Sequence, residues 1–143
     1  ILRPLLYERF AGANIVIVVD PAGVQRAQTD ERSAIDIIKA EGLKVMPART
    51  NNPTARLNAV DEYLMRHVDG DSAFLVDPSC LALKSAMMGG YRFHPKTGAI
   101  EKNKHSHVAE ALQYLMLHIA SISDGNVLAQ RREIQRVSAA GWT

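Results

Sequence analysis

The sequence predicts an α/β fold, and three observations carry that prediction. Ile15-Val16-Ile17-Val18-Val19 is a run of apolar, mostly β-branched residues, the signature of a strand buried on both faces. A second apolar run, Ala73-Phe74-Leu75-Val76, reads the same way. Between and after these runs lie stretches with helical periodicity. Strands therefore alternate with helices, as in a sheet with at least three neighbouring parallel strands. Both runs end in Asp-Pro, at Asp20-Pro21 and Asp77-Pro78. Pro21 cannot continue a ladder and Gly23 permits a tight turn, so the first strand stops at Asp20. Each Asp then stands at the carboxyl end of its strand, the rim where open α/β sheets place their sites.

The remaining elements follow in chain order. Ile1 to Phe10 mixes apolar residues with Arg3, Glu8 and Arg9, and Leu5-Leu6-Tyr7 fits either a short strand or a lead-in segment. Val24 to Glu31 is polar and reads as a loop on the Asp20 rim. Arg32 to Gly42 carries Ile35 and Ile38 at helical spacing and stops at glycine. Leu43 to Ala48 is a second strand. Asn52-Pro53 supplies an N-cap and a first-turn proline for a helix through His67, with Leu57, Val60, Leu64 and Val68 as its apolar stripe. Asp69-Gly70-Asp71 is a turn. Pro78 to Gly90 is a short helix ended by Gly89-Gly90, and Tyr91 to His94 alternates like a strand. Ser106 caps a helix from His107 to about Ser121, with Val108, Leu112, Leu115 and Ile119 as its core stripe. Asp124-Gly125-Asn126 breaks the chain, and 124–143 reads as a flexible or helical tail.

Size and composition set the bounds. A chain of 143 residues makes one domain. Its 22% charged residues and net charge of +2 give no licence to infer a nucleic-acid partner from bulk charge; only the placement of the charges can do so. The single cysteine, Cys80, excludes an intramolecular disulfide and a Cys-rich zinc site. No apolar run approaches the roughly 18 residues of a membrane span, and no leader pattern opens the chain. A start at Ile1 fits a piece of a longer protein.

The acids are the candidate chemistry. An Asp before Pro is by itself the ordinary material of a turn. Repetition at two strand ends gives the pair another use. On neighbouring strands, about 5 Å apart, Asp20 and Asp77 would face one point. Two carboxylates that close repel unless a cation or a shared proton intervenes, and a hard divalent ion such as Mg²⁺ suits oxygen donors. Glu110 is the third candidate. It lies in the first turns of the Ser106 helix, off the apolar stripe and on a face with His107 and Tyr114. Asp30 and Glu31 stand in reserve on the loop leaving Asp20. Lys102, Lys104, His105 and His107 cluster before Glu110, and Lys84 and Arg92 flank strand ends. Cations around an acidic pocket suit a polyanionic substrate. The five histidines show no metal-triad spacing. No nucleophile elbow, phosphate loop or dinucleotide fingerprint is present, so nothing points to ATP binding.

Taken in order, Val-Val-Asp20-Pro-Ala-Gly, Gln28-Thr29-Asp30-Glu31-Arg32, Phe-Leu-Val-Asp77-Pro-Ser-Cys80, Gly89-Gly90-Tyr91 and Lys102-Asn103-Lys104-His105-Ser106-His107-Val-Ala-Glu110-Ala-Leu-Gln-Tyr114 resemble the nuclease domain of the large terminase subunit of tailed bacteriophages. The likeness runs from about Leu5 to His118 and rests on order and spacing together. It implies an RNase H-like mixed β-sheet flanked by α-helices, part of it antiparallel. It implies a metal-dependent endonuclease that cuts concatemeric viral DNA during packaging. The family's acids map onto Asp20, Asp77 and Glu110, where the family often has Asp at the last position. Two Mg²⁺ or Mn²⁺ ions are the implied cofactors, with Asp20 between them and Asp77 and Glu110 on either side. Lys84, Arg92, Lys102, Lys104 and His107 are then the expected DNA contacts. The implied partners are double-stranded DNA, an ATPase domain N-terminal in the same full-length chain, the portal and the small terminase subunit. The implied setting is the host cytoplasm, with no membrane.

Two rivals belong to other classes. A receiver-like signalling domain also gathers aspartates at strand ends, but it wants an acidic pair beside the first strand, which Asp20 lacks. A non-catalytic module could dock on DNA or a portal through the same cations.

Overall fold

The computed structural model describes residues 2–26 and 34–140, without the side chains of 24–26 and 124–140. Helices and short strands are mixed. In chain order they are α1 (Leu2–Arg9), β1 (Val16–Val19), α2 (Pro21–Arg26), α3 (Ala34–Ala40), β2 (Lys44–Pro47), α4 (Pro53–Met65), β3 (His67–Val68), β4 (Asp71–Ser72), α5 (Leu81–Ser85), a π-turn at Ala86–Gly90, and α6 (Ser106–Ala140).

Strand β1 forms where its β-branched run predicts, and it pairs in parallel with β2, Val16 opposite Lys44 and Val19 opposite Pro47. The second apolar run differs. Ala73 to Asp77 joins no ladder among the described residues. Phe74 packs on the core while Leu75 is 83% exposed. The cause lies just upstream. Asp69 and Gly70 both sit at positive φ, 53° and 90°, and fold Asp71–Ser72 back antiparallel onto His67–Val68. The glycine meets that geometry without Cβ strain. Residue pairing is thus spent on a local hairpin, and the expected three-strand parallel sheet is a parallel pair.

Helix α4 starts as its sequence dictates. The Asn52 side chain accepts the Ala55 N–H at 3.1 Å and Pro53 occupies the first turn. Its buried face is Arg56 and Ala59, whereas Leu64 and Val68 of the expected stripe are exposed. Helix α6 packs across α4 and also touches β1. The core between them is Ala48, Ala59, Tyr114, Met116 and Leu117, with Val18, Val60 and Phe74 against it. The buried side of α6 therefore runs through Ala109, Gln113, Met116 and Leu117, and Leu115 of the expected stripe faces out. The α6 backbone also continues through Asp124-Gly125-Asn126, where a break is expected from sequence.

Other expectations shift. The N-terminal segment is helix α1, all of it outside the core. It is held by the Arg3 N–H on Glu41 at 2.8 Å. Pro21 to Arg26 is helical where a turn and loop are expected, so Gly23 sits inside a helix, facing Ile35. Asp30, Glu31 and the rest of 27–33 lie outside the described residues. The Tyr91–His94 strand is reduced to one bridge, Phe93 to Ile100. Ser106 does not cap forward. Its hydroxyl accepts from the Asn103 N–H at 2.8 Å and donates to the Glu101 carbonyl at 3.2 Å, tying the preceding loop down. No helix among the described residues is long and apolar enough to cross a membrane.

Candidate functional site

Asp20 follows β1 directly. Its Oδ1 accepts the Ala22 N–H at 2.9 Å and its carbonyl accepts the Gly23 N–H at 3.0 Å, so it starts α2. Asp77 repeats the arrangement: Oδ1 accepts the Ser79 N–H at 2.8 Å and the Ser79 hydroxyl at 2.5 Å, and the carbonyl accepts the Cys80 N–H at 2.9 Å. These bonds, helped by the charge of Arg9, hold the Asp77 carboxyl below its ordinary value. The two Asp-Pro segments are thus the same turn built twice, and in each the carboxylate has a backbone duty.

Glu110 is the acid with the least expected surroundings. Its side chain is only 15% exposed, and it pairs with the Lys102 ammonium. Four residues on, Tyr114 is buried in the core. Its phenol is pushed up to about 12, first by burial and then by the negative charges of Asp20 and Glu110. The Arg56 guanidinium pulls the other way. It lies over the Tyr114 ring at 4.7 Å. The C-terminal end of β1, the first turns of α4 and the first turns of α6 therefore meet at one phenol. Around it stand two carboxylates and a guanidinium, and the phenol itself remains protonated at neutral pH.

Arg56 is the functional candidate that the sequence reading misses. It is 5% exposed, and its Nε has no hydrogen-bond partner among the described residues. A buried cation without a hydrogen-bonded anion is costly. The available signal was its position three before Ala59 on the core face of a helix, but a charged residue does not register in an apolar stripe. Replacement separates charge from packing. Arg56→Met keeps most of the volume and is expected to match or exceed wild-type thermal stability, while Arg56→Ala leaves a void costing about 2–4 kcal/mol. Thermal unfolding of both variants checks this; equal losses would mean that the guanidinium itself holds the fold.

Among the described residues no three His, Cys, Asp or Glu side chains come together to hold a metal. The donor chemistry of Asp20 and Glu110 suits a hard divalent ion, and the charges of both raise the Tyr114 phenol. The expected DNA contacts divide. Arg92 is committed to Glu101 through a two-pronged pair at 2.8 and 3.1 Å, and Lys102 to Glu110. Lys84, Lys104 and His107 are exposed. Cys80 is an exposed free thiol at the start of α5.

Comparison with known proteins returns no matching family model, no matching curated protein and no matching solved structure.

Proposed function

We propose that this chain is a divalent-metal-dependent DNA endonuclease of RNase H-like fold, working in viral genome packaging as the resemblance implies. The observation that carries the reading is the packing of β1, whose tip bears Asp20, against α6, which bears Glu110, with Val18 on the core that holds Tyr114. Asp20 and Glu110 are the residues to hold Mg²⁺ or Mn²⁺, with Asp77 the acid that the resemblance adds. When bound, the ion supplies a polarised water and charge stabilisation at the scissile phosphate.

The chain's own residues do the rest. Tyr114, its phenol held at about 12 chiefly by burial, keeps its proton, and the Asp20 carboxylate is oriented by the Ala22 N–H. Arg56 is a fixed positive charge behind the acids, offsetting their mutual repulsion before an ion arrives. Lys102 occupies Glu110 in this structure; released from it, the ammonium is placed to meet a backbone phosphate together with Lys104 and His107. Contacts of that kind read the DNA backbone, so cutting should depend weakly on sequence and strongly on salt.

The alternative is a non-catalytic module that docks on DNA or a portal, and the absence of a three-donor cluster among the described residues favours it. Incubation of supercoiled plasmid with Mn²⁺, with and without a chelator, decides between them. The nuclease is expected to nick and linearise plasmid only with the ion and to gain thermal stability from it. A protein that shifts plasmid mobility but neither cuts nor gains stability is the docking module.

A further inference from the structure

Lys102 reaches one of the candidate acids from an exposed position. Its side chain is 70% exposed, whereas that of its partner Glu110 is 15% exposed. The backbone on either side of Lys102 is fixed. Before it, the Glu101 N–H donates to the Arg92 carbonyl at 3.0 Å, and the Glu101 carboxylate holds the Arg92 side chain at 2.8 Å. After it, the Asn103 N–H donates to the Ser106 hydroxyl at 2.8 Å, and the Asn103 side chain donates to the Gly90 carbonyl at 3.0 Å. A pinned loop therefore delivers the ammonium to Glu110, while its flexible four-carbon stem can swing into solvent without moving that loop.

A carboxylate oxygen engaged by an ammonium is not free to ligate a hard ion, and a cation left beside that ion repels it. We propose that Lys102 is a built-in competitor for the divalent ion: its ammonium holds the Glu110 carboxylate, and the site takes its ion only as Lys102 swings out. The inference rests on the metal-dependent reading above and adds how that site is restrained. The restraint is soft. An ion pair with one partner this exposed is weak, so a divalent ion can displace it and loses only part of its affinity in doing so.

Calorimetric titration of Mn²⁺ into the full chain is the test. Lys102→Met keeps the apolar stem and removes the charge, and is expected to bind Mn²⁺ about fivefold more tightly than wild type. Lys104→Met removes an equal charge from a nearby exposed side chain and, because solvent and salt screen it, is expected to change affinity by less than about twofold. Adding Glu110→Gln to Lys102→Met is expected to erase the gain. In the wild type, NMR of the lysine ammonium groups during Mg²⁺ titration is expected to show the Lys102 signal moving to that of a free side chain. Equal Mn²⁺ binding by wild type and Lys102→Met, or an equal gain from Lys104→Met, overturns the proposal and leaves the metal-dependent reading standing. If neither wild type nor Lys102→Met binds Mn²⁺, that reading itself falls and the proposal falls with it.

Discussion

Asp20→Asn is expected to lower plasmid cutting in Mn²⁺ by about 10²–10³-fold, the scale on which loss of one group that stabilises developing charge is felt, with no loss of thermal stability. The structural half of that expectation comes from the turn. An asparagine oxygen can still accept the Ala22 N–H that Asp20 holds at 2.9 Å, so α2 starts as before and only the charge is gone. The same holds at Asp77, where asparagine keeps both bonds from Ser79. The pair of variants therefore reads charge and not folding. Asp77→Asn is expected to lower cutting too. A wild-type rate there would confine the acid site to Asp20 and Glu110 and leave Asp77 as a turn former. A wild-type rate for Asp20→Asn would remove the nuclease reading altogether.

Gly90→Ala is expected to cost about 1–3 kcal/mol of stability from overpacking. A Cβ at this position would lie 2.6 Å from the Ser85 carbonyl oxygen and 2.8 Å from the His105 ring. The first neighbour is backbone inside the helical stretch that leads into the π-turn, so it cannot swing aside. The position is also a hub. The Gly90 carbonyl accepts the Asn103 side-chain N–H at 3.0 Å, and Asn103 Oδ1 in turn accepts the His105 N–H at 2.9 Å. That loop delivers Lys102 and the start of α6 to Glu110, so displacement at Gly90 is expected to reach the acid site and weaken any activity there. Gly98→Ala is the control. Gly98 has φ of +66° but open space around it, so only the strain of a left-handed alanine, roughly 1 kcal/mol, is felt. Thermal unfolding of the two variants makes the comparison. Equal, small shifts would mean that the π-turn yields more easily than its contacts indicate.

What the sequence made legible is what is decided locally. β1 follows from a β-branched run, and the start of α4 from Asn52-Pro53, because propensity and capping act within a few residues. The antiparallel folding of Asp71–Ser72 onto His67–Val68 could have been read from Asp69-Gly70, yet its cost to the Ala73–Asp77 ladder could not, since pairing partners are set by distant chain. On α6, Leu112 and Ile119 of the expected stripe do pack on the core and Leu115 does not, while the fully buried side also takes in Gln113 and Tyr114, which apolar periodicity passes over. For the same reason Arg56 was invisible. Helix α1 offered no stripe at all, because it buries no residue. At the site, Asp20 and Glu110 were legible as residue types in sequence. Their meeting point, Tyr114 beneath Arg56, needed the packing of α4 on α6.

The repeated Asp-Pro turn has one more consequence. A carboxylate on a free chain end samples several side-chain rotamers, and an ion that captures it must freeze that motion at some entropic expense. At Asp20 and Asp77 one oxygen is already tethered to an amide of the following turn, so the torsion is chosen in advance and the second oxygen is aimed by the fold. Whatever cation or donor these aspartates meet, the ordering has been done before it arrives.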